Sequence, residues 1–343
     1  MSASANGQDG HLDLDFYGLR VCVRSSNPET ASRLRRDFSY FSASGDCRGM
    51  SVRIAPAAEA SGLPGDAGRW RPQRGRGLVF HDEWPFRLIR FADRAYCRYD
   101  YRHRAVQIHA DDQDLAHEIA HYAVLSRIGE ELDVRGWHRV HALGFSLGDK
   151  GALALAPSGG GKSRLALAML RRGKLDILSD DTPLLGFDLT LRAFPLRLGF
   201  REGQDLADVP ESLQSVFRRL DYPPKRLVDI DFARGRIRPA AALRAIFIVA
   251  SPRDGATTIT PSSRSHALKA LVSHLVIGSG VPQMAEYMLN FRGRRPLKLA
   301  AILLRRLRTA SRAVFAAPAF FLAPSRDPEE CAQVIEAFLS RLS

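Results

Sequence analysis

Three consecutive glycines followed by lysine and serine, Gly159-Gly160-Gly161-Lys162-Ser163, constrain this chain more than any other stretch. Together with Ala156-Pro157-Ser158 they read as a loop that wraps a polyphosphate with its N–H groups turned inward. In that reading Lys162 supplies the cation for the β- and γ-phosphate oxygens, and the Ser163 hydroxyl ligates Mg²⁺. The pattern usually opens with glycine; here Ala156 stands in that place. The flanks suit the loop. Ala152–Leu155 is a short apolar run that predicts a buried strand. Ser163–Arg172 is rich in helix formers, and Gly173 falls where a C-cap belongs.

With 343 residues there is room for two domains. No apolar run reaches the ~18 residues of a membrane-spanning helix. Met1–Gly10 carries no apolar segment of a secretory signal, so the expected location is cytoplasmic. Cys22, Cys47, Cys97 and Cys331 form no CxxC pair, which suits a reducing compartment better than a disulfide framework. A net charge of +13 favours polyanionic partners: nucleotide phosphates, an acidic peptide, nucleic acid or a membrane surface. Charge alone does not choose among them.

Along the chain, residues 1–11 read as a disordered tail and 12–110 as a small α+β domain without catalytic features. Leu19–Val23 predicts a strand, Asn27-Pro28-Glu29 a helix start running to about Tyr40, and Met50–Ile54 a second strand. Residues 55–77 read as a loop. Leu78–Phe80, Phe86–Phe91, Ala95–Tyr101 and Ala105–His109 then form an antiparallel set.

Residues 111–343 make the second domain, opened by a helix over Asp111–Leu132. On it sits His117-Glu118-Ile119-Ala120-His121, whose two imidazoles four apart are the ligand pair of many zinc peptidases. No third ligand follows at the short spacing, so a helix face packed on the following sheet is the expected role. Val140–Leu147 and the run into the glycine loop read as a hairpin. Leu175–Ser179 predicts a strand ending in Asp180-Asp181, two carboxylates at a neighbouring strand end that would face the phosphates. Thr182–Phe187 and Leu191–Phe194 predict a second hairpin, with Arg197 and Arg201 in the loop beyond.

Glu211–Leu220 predicts a helix, Tyr222–Lys225 a rigid connection, Ala245–Ala250 a buried strand, and Ser263–Ile277 a helix. Arg292–Arg312 holds eight basic residues and no acidic one, interleaved with leucines. It reads equally as a face for an acidic partner or anionic membrane, or as a surface helix with its apolar side in the core. Pro328–Leu342 closes the chain as an amphipathic helix.

His141, Ser158-Gly159-Gly160-Gly161-Lys162-Ser163, the helix ending in Arg172-Gly173, and Ser179-Asp180-Asp181 together resemble the kinase domain of HPr kinase/phosphorylase. The likeness covers about residues 136–187. It implies an α/β P-loop kinase core of the type shared with phosphoenolpyruvate carboxykinases, preceded here by the small α+β domain. It also implies transfer of the γ-phosphoryl group of ATP to a protein serine. By position, Lys162 would hold the β/γ-phosphates, Ser163 a Mg²⁺, Asp180 would be the base and Asp181 would assist the metal. His141 would lie near the reacting group. The family segment with a metal-associated Glu and an R-G-x-G run has no counterpart; Phe194–Gly199 offers Arg197 but no Glu. The expectation is therefore a kinase without an evident phosphorylase signature.

The residues alone support the same chemistry, because phosphoryl transfer needs positioning and charge stabilisation plus a carboxylate for the hydroxyl proton. Either Asp180 or Asp181 fits that last role, and Arg197 could stabilise transferring charge. The expected activity is an ATP- and Mg²⁺-dependent serine kinase acting on a protein or peptide. The alternatives are a small hydroxylated acceptor on the same fold, a regulator that hydrolyses ATP slowly or not at all, and the zinc peptidase. Homo-oligomerisation is left open.

Overall fold

The computed structural model describes residues 10–45, 49–60, 70–72, 78–157, 159–201, 203–220, 223–278, 286–287 and 295–342. It is a mixed α/β structure with two large sheets. The chain divides into two compact units: one takes the chain to Ile128 together with Arg201–Asp229, the other Gly129–Phe200, Ile230–Asn290 and the C-terminal part from Arg294. The division therefore falls inside the helix Gln113–Val134, later than the expected boundary at 110, and the segment 201–229 belongs with the first unit.

In the first unit an eight-stranded sheet runs in the order His11–Asp15, Arg20–Ser25, Met50–Ala55, Ala105–Ala110, Ala95–Asp100, Phe86–Phe91, Leu78–Glu83, Arg71–Pro72. Arg20–Ser25 lies parallel to Met50–Ala55, which lies parallel to Ala105–Ala110. A parallel pair needs a crossover, and the helix Pro28–Asp37 lies in the first one. Its start is the expected one: Pro28 takes the first turn and Asn27 Oδ1 accepts from the Glu29 and Thr30 N–H groups. Alternation along Ala95–Asp100 buries Ala95, Cys97 and Tyr99.

Two expectations fail here. Glu211–Leu220 is not a helix: after a single 3₁₀ turn at Glu211–Leu213, Gln214–Phe217 is a strand paired antiparallel with Lys225–Val228. Val216 and Phe217 favour the pleated form, and Pro223-Pro224 after them cannot continue a helix. Cys22 is disulfide-bonded, whereas Cys97 and Cys331 are buried thiols outside any disulfide. Spacing along the chain could not show that bond, and the cysteine case for a reducing compartment lapses with it.

The second unit holds a nine-stranded sheet. Its main path is Asp176–Ser179, Leu143–Leu147, Lys150–Leu155, Ala240–Val249, Thr190–Arg192, Leu184–Gly186, Trp137–Arg139. Ala319–Ala323 pairs parallel to the far half of Ala240–Val249, and Thr258–Pro261 pairs with it in turn. The hairpin ahead of the glycine loop is as expected, with Leu143 opposite Ala154 and Leu147 opposite Lys150. The Ala245–Ala250 strand is longer than its apolar run, at Ala240–Val249.

Against the sheet pack Arg264–Leu271 and Arg295–Ala316, and the shared core includes Leu153, Leu155, Leu178, Ile246, Leu271, Leu275, Ala310 and Val314. The basic helix has an apolar side in the core and an exposed side that also carries apolar residues. Leu299, Ile302 and Ala310 are buried, whereas Leu297, Leu304, Leu307 and Phe315 remain exposed beside Arg308 and Arg312. Residues 292–294 of that segment lie outside the described residues. Arg306 is wholly buried and grips Asp133 through Nε at 2.9 Å and Nη2 at 2.6 Å. Among the described residues no helix is long and apolar enough to cross a membrane.

Candidate functional site

The strand Lys150–Leu155 delivers the chain into the glycine loop, and the helix Lys162–Arg172 takes it out. Gly159 and Gly161 have φ of +80° and +87°, a region that a Cβ makes costly. Space at Gly160 is tight: a Cβ there would lie 3.0 Å from the Pro157 carbonyl oxygen. Ser158, expected to contribute to the same cradle, lies outside the described residues. Gly161 is the N-cap of the helix and offers no side chain to its first N–H groups. Such an uncapped start leaves donors and the positive end of the helix dipole facing outward. At the other end Gly173 closes the helix in a left-handed turn, its N–H bonded to the Met169 and Leu170 carbonyls, beside Arg171 and Arg172.

The two carboxylates arrive from a strand two places away rather than from the next one. Asp176–Ser179 pairs with Leu143–Leu147, which intervenes. The glycine-loop helix closes the gap by packing back over that strand. At the strand end the buried Ser179 hydroxyl accepts from the Asp181 N–H at 3.4 Å and the Thr182 N–H at 3.0 Å, turning the chain and fixing the acidic pair.

The pair then splits. Asp180 is buried, and its Oδ2 accepts a 2.9 Å hydrogen bond from Ser163 Oγ. Asp181 is half-exposed, with Oδ1 3.4 Å from Lys162 Nζ and 3.1 Å from His141 Nε2. Lys162 Nζ lies 2.9 Å from His141 Nε2 and donates to the Ala156 carbonyl at 3.1 Å and the Pro157 carbonyl at 3.4 Å. Five of the expected residues thus meet in one cluster: His141, Lys162, Ser163, Asp180 and Asp181. Arg197, the remaining basic candidate, is buried just ahead of the strand Leu198–Phe200.

A residue outside the expected set joins them. His274 donates from Nδ1 to the His141 carbonyl at 2.9 Å, and its own carbonyl accepts the His141 N–H at 3.0 Å. Burial lowers the His274 pKa, with the charges of His141 and Lys162 acting the same way against the raising effect of its hydrogen bond. It sits in the apolar run Val272–Ile277, where no motif or spacing marks it.

A cavity of about 40 Å³ opens beside the loop, lined by Gly160, Gly161 and Lys162 on one side and Val249, Pro252 and Pro324 on the other. Its wall is stiffened by Glu330, whose carboxylate takes the Ser325 hydroxyl at 2.6 Å and the Thr257 N–H at 3.1 Å. Burial works against that charge, but these hydrogen bonds keep Glu330 below its usual pKa.

The histidine pair of the first unit meets a single carboxylate. His117 Nε2 and His121 Nδ1 both converge on Asp37 Oδ2, at 2.7 and 2.8 Å, and Phe217 packs on both rings. Glu118 Oε2 accepts the Leu220 N–H at 2.7 Å. This face therefore meets the end of the helix Pro28–Asp37 and a hairpin strand rather than the following sheet. Among the described residues no group of three His, Cys, Asp or Glu side chains is arranged to hold a metal ion. No protein-family model matches the chain, and no curated protein matches it.

Proposed function

We propose that the chain is an ATP-dependent phosphotransferase of the HPr kinase-like P-loop type, acting on a serine hydroxyl of a protein or peptide. The observation that carries this reading is the split of the two acids, with Asp180 on Ser163 and Asp181 beside Lys162 and His141. A glycine cradle with an uncapped helix start suits a triphosphate. The present partners of Lys162 are two carbonyls, an imidazole and a carboxylate at 3.4 Å. Phosphate oxygens bearing more charge would compete well for it.

The oxygens of Ser163 and Asp180 suit Mg²⁺, a hard cation that needs only one or two protein ligands because water and phosphate fill the rest. Bound there, Mg²⁺ would neutralise charge on the β- and γ-phosphates. This division exchanges the roles expected from the family likeness: Asp180 goes to the metal, and Asp181 is the base. Asp181 is the more exposed acid, and an acceptor hydroxyl can approach it. The Asp181 carboxylate takes the serine proton as the serine oxygen bonds to the γ-phosphorus and the bond to the β-phosphate oxygen breaks, releasing ADP. Lys162 holds the phosphates in line. The cavity bounded by Val249, Pro252 and Pro324 adjoins the loop and is the side on which a nucleoside would be sought.

Transfer of labelled γ-phosphate to serine-containing proteins and peptides, with free serine and other small hydroxyl compounds as a second arm, tests the assignment. Labelling confined to the small molecules would overturn the macromolecular acceptor, and labelling in neither arm would overturn the kinase.

A further inference from the structure

The main chain around His141 is held from two sides. Val140 N–H bonds to the Pro183 carbonyl and Ala142 N–H to the Asp181 carbonyl, at 3.0 and 3.1 Å. Between them His141 turns the other way, and both its N–H and its C=O are satisfied by one residue, His274. The two rings also lie face to face, with centroids 5.4 Å apart and planes 30° from parallel.

We propose that His274 is a positioning residue of this site, holding His141 against Lys162 and Asp181 through its Nδ1–H bond and its ring face. The proposal rests on the phosphotransferase reading for its consequence in turnover, but not for its geometry. Three observations support it. The bond from Nδ1 to a carbonyl requires the proton on that nitrogen, which fixes a single tautomer and leaves Nε2 with a lone pair in the neutral ring. His274 stands on a π-helical turn, Val272–Ile277, that continues the helix Arg264–Leu271 and closes it at Gly278 in a left-handed conformation. π-helical turns are rare and recur at functional sites. Finally, the buried His141 Nδ1 has no hydrogen-bond partner among the described residues, so the orientation of that ring depends on Nε2, on packing and on its own backbone. His274 is the residue that holds the N–H and C=O of His141 itself.

A direct test uses three substitutions and two readouts. His274→Asn keeps a donor near the Nδ1 position, His274→Phe keeps a ring face without the donor, and His274→Ala keeps neither. In the unsubstituted protein, ¹⁵N-histidine NMR should show His274 protonated at Nδ1, and the His141 ring signals should shift in the Phe and Ala variants. This arm needs no activity. In the kinetic arm, kcat for phosphate transfer should fall on the order of tenfold or more in the Phe and Ala variants. KM for ATP should stay within about threefold and the melting temperature should be retained, while Asn restores most of kcat. An Nε2-protonated His274, or His141 signals unmoved by Phe and Ala, would overturn the proposal. So would a uniform loss of kcat and melting temperature in all three variants. Absence of transfer in the unsubstituted protein would overturn the phosphotransferase reading, and the NMR arm alone would then decide whether His274 positions His141.

Discussion

Ser163 Oγ donates to Asp180 Oδ2 at 2.9 Å, so the residue after the loop lysine and the first of two adjacent acids bring their side-chain oxygens together. Asp181, the next residue, faces Lys162 and His141 instead. Two neighbouring carboxylates at a strand end thus have separate surroundings, and separable roles follow.

Asp180→Asn should raise the Mg²⁺ concentration needed for half-maximal transfer. Asp181→Asn should leave that midpoint in place and lower kcat by about a hundredfold or more, the scale of a lost general base. Mg²⁺ titrations of both variants at saturating ATP decide between the two assignments, and the reverse pattern would restore Asp180 as the base.

Gly161→Ala should cost about 1 kcal/mol of stability from its left-handed backbone alone, because no atom stands within 4 Å of the added Cβ. Nucleotide affinity should drop with it. Gly160→Ala meets the Pro157 carbonyl at 3.0 Å and should distort the loop directly. Urea titration and ATP-binding calorimetry read the two effects.

Much of the second unit is legible in the sequence. The hairpin, the helix after the glycines and the strand before the acidic pair belong to one contiguous run whose turn residues and apolar spacing are local signals, and these elements form where expected. What stays hidden depends on contacts distant in sequence. The strand Leu143–Leu147 intrudes between the acids and the loop strand, which no spacing encodes. Nothing in Val272–Ile277 announces a π turn, and His274 reaches His141 from 133 positions away. In 211–220 a helical window hides a strand, because the pairing partner at Lys225–Val228 decides the outcome.

The buried ion pair sets acid stability. Burial alone would raise the Asp133 pKa, but Arg306 and the hydrogen bonds from His138 and Arg306 outweigh it and hold the carboxyl at about 2. A depressed acid stabilises the fold above its unfolded value of 3.8, and that contribution is lost as pH falls from there through about 2. The amount is on the order of 2 kcal/mol. Arg306→Met, which strands the charge, should cost about 3–5 kcal/mol at neutral pH. Denaturant midpoints at pH 6 and pH 3, compared between the unsubstituted protein and Asp133→Asn, check the sign: the acid loss should be smaller in the variant.

His117 and His121 share one carboxylate oxygen of Asp37. Asp37→Ala should destabilise the first unit by about 1–3 kcal/mol, since it leaves buried imidazole donors unpaired. Elemental analysis of the purified protein should show no stoichiometric zinc. A full equivalent that disappears in His117→Ala would reinstate the peptidase reading.

Lys162→Ala, assayed for transfer of labelled γ-phosphate from ATP to serine, bears most directly on the whole. With the principal phosphate cation removed, transfer should fall by at least an order of magnitude while the melting temperature holds. Undiminished transfer by that variant would contradict the assignment of this cluster as the phosphoryl-transfer site.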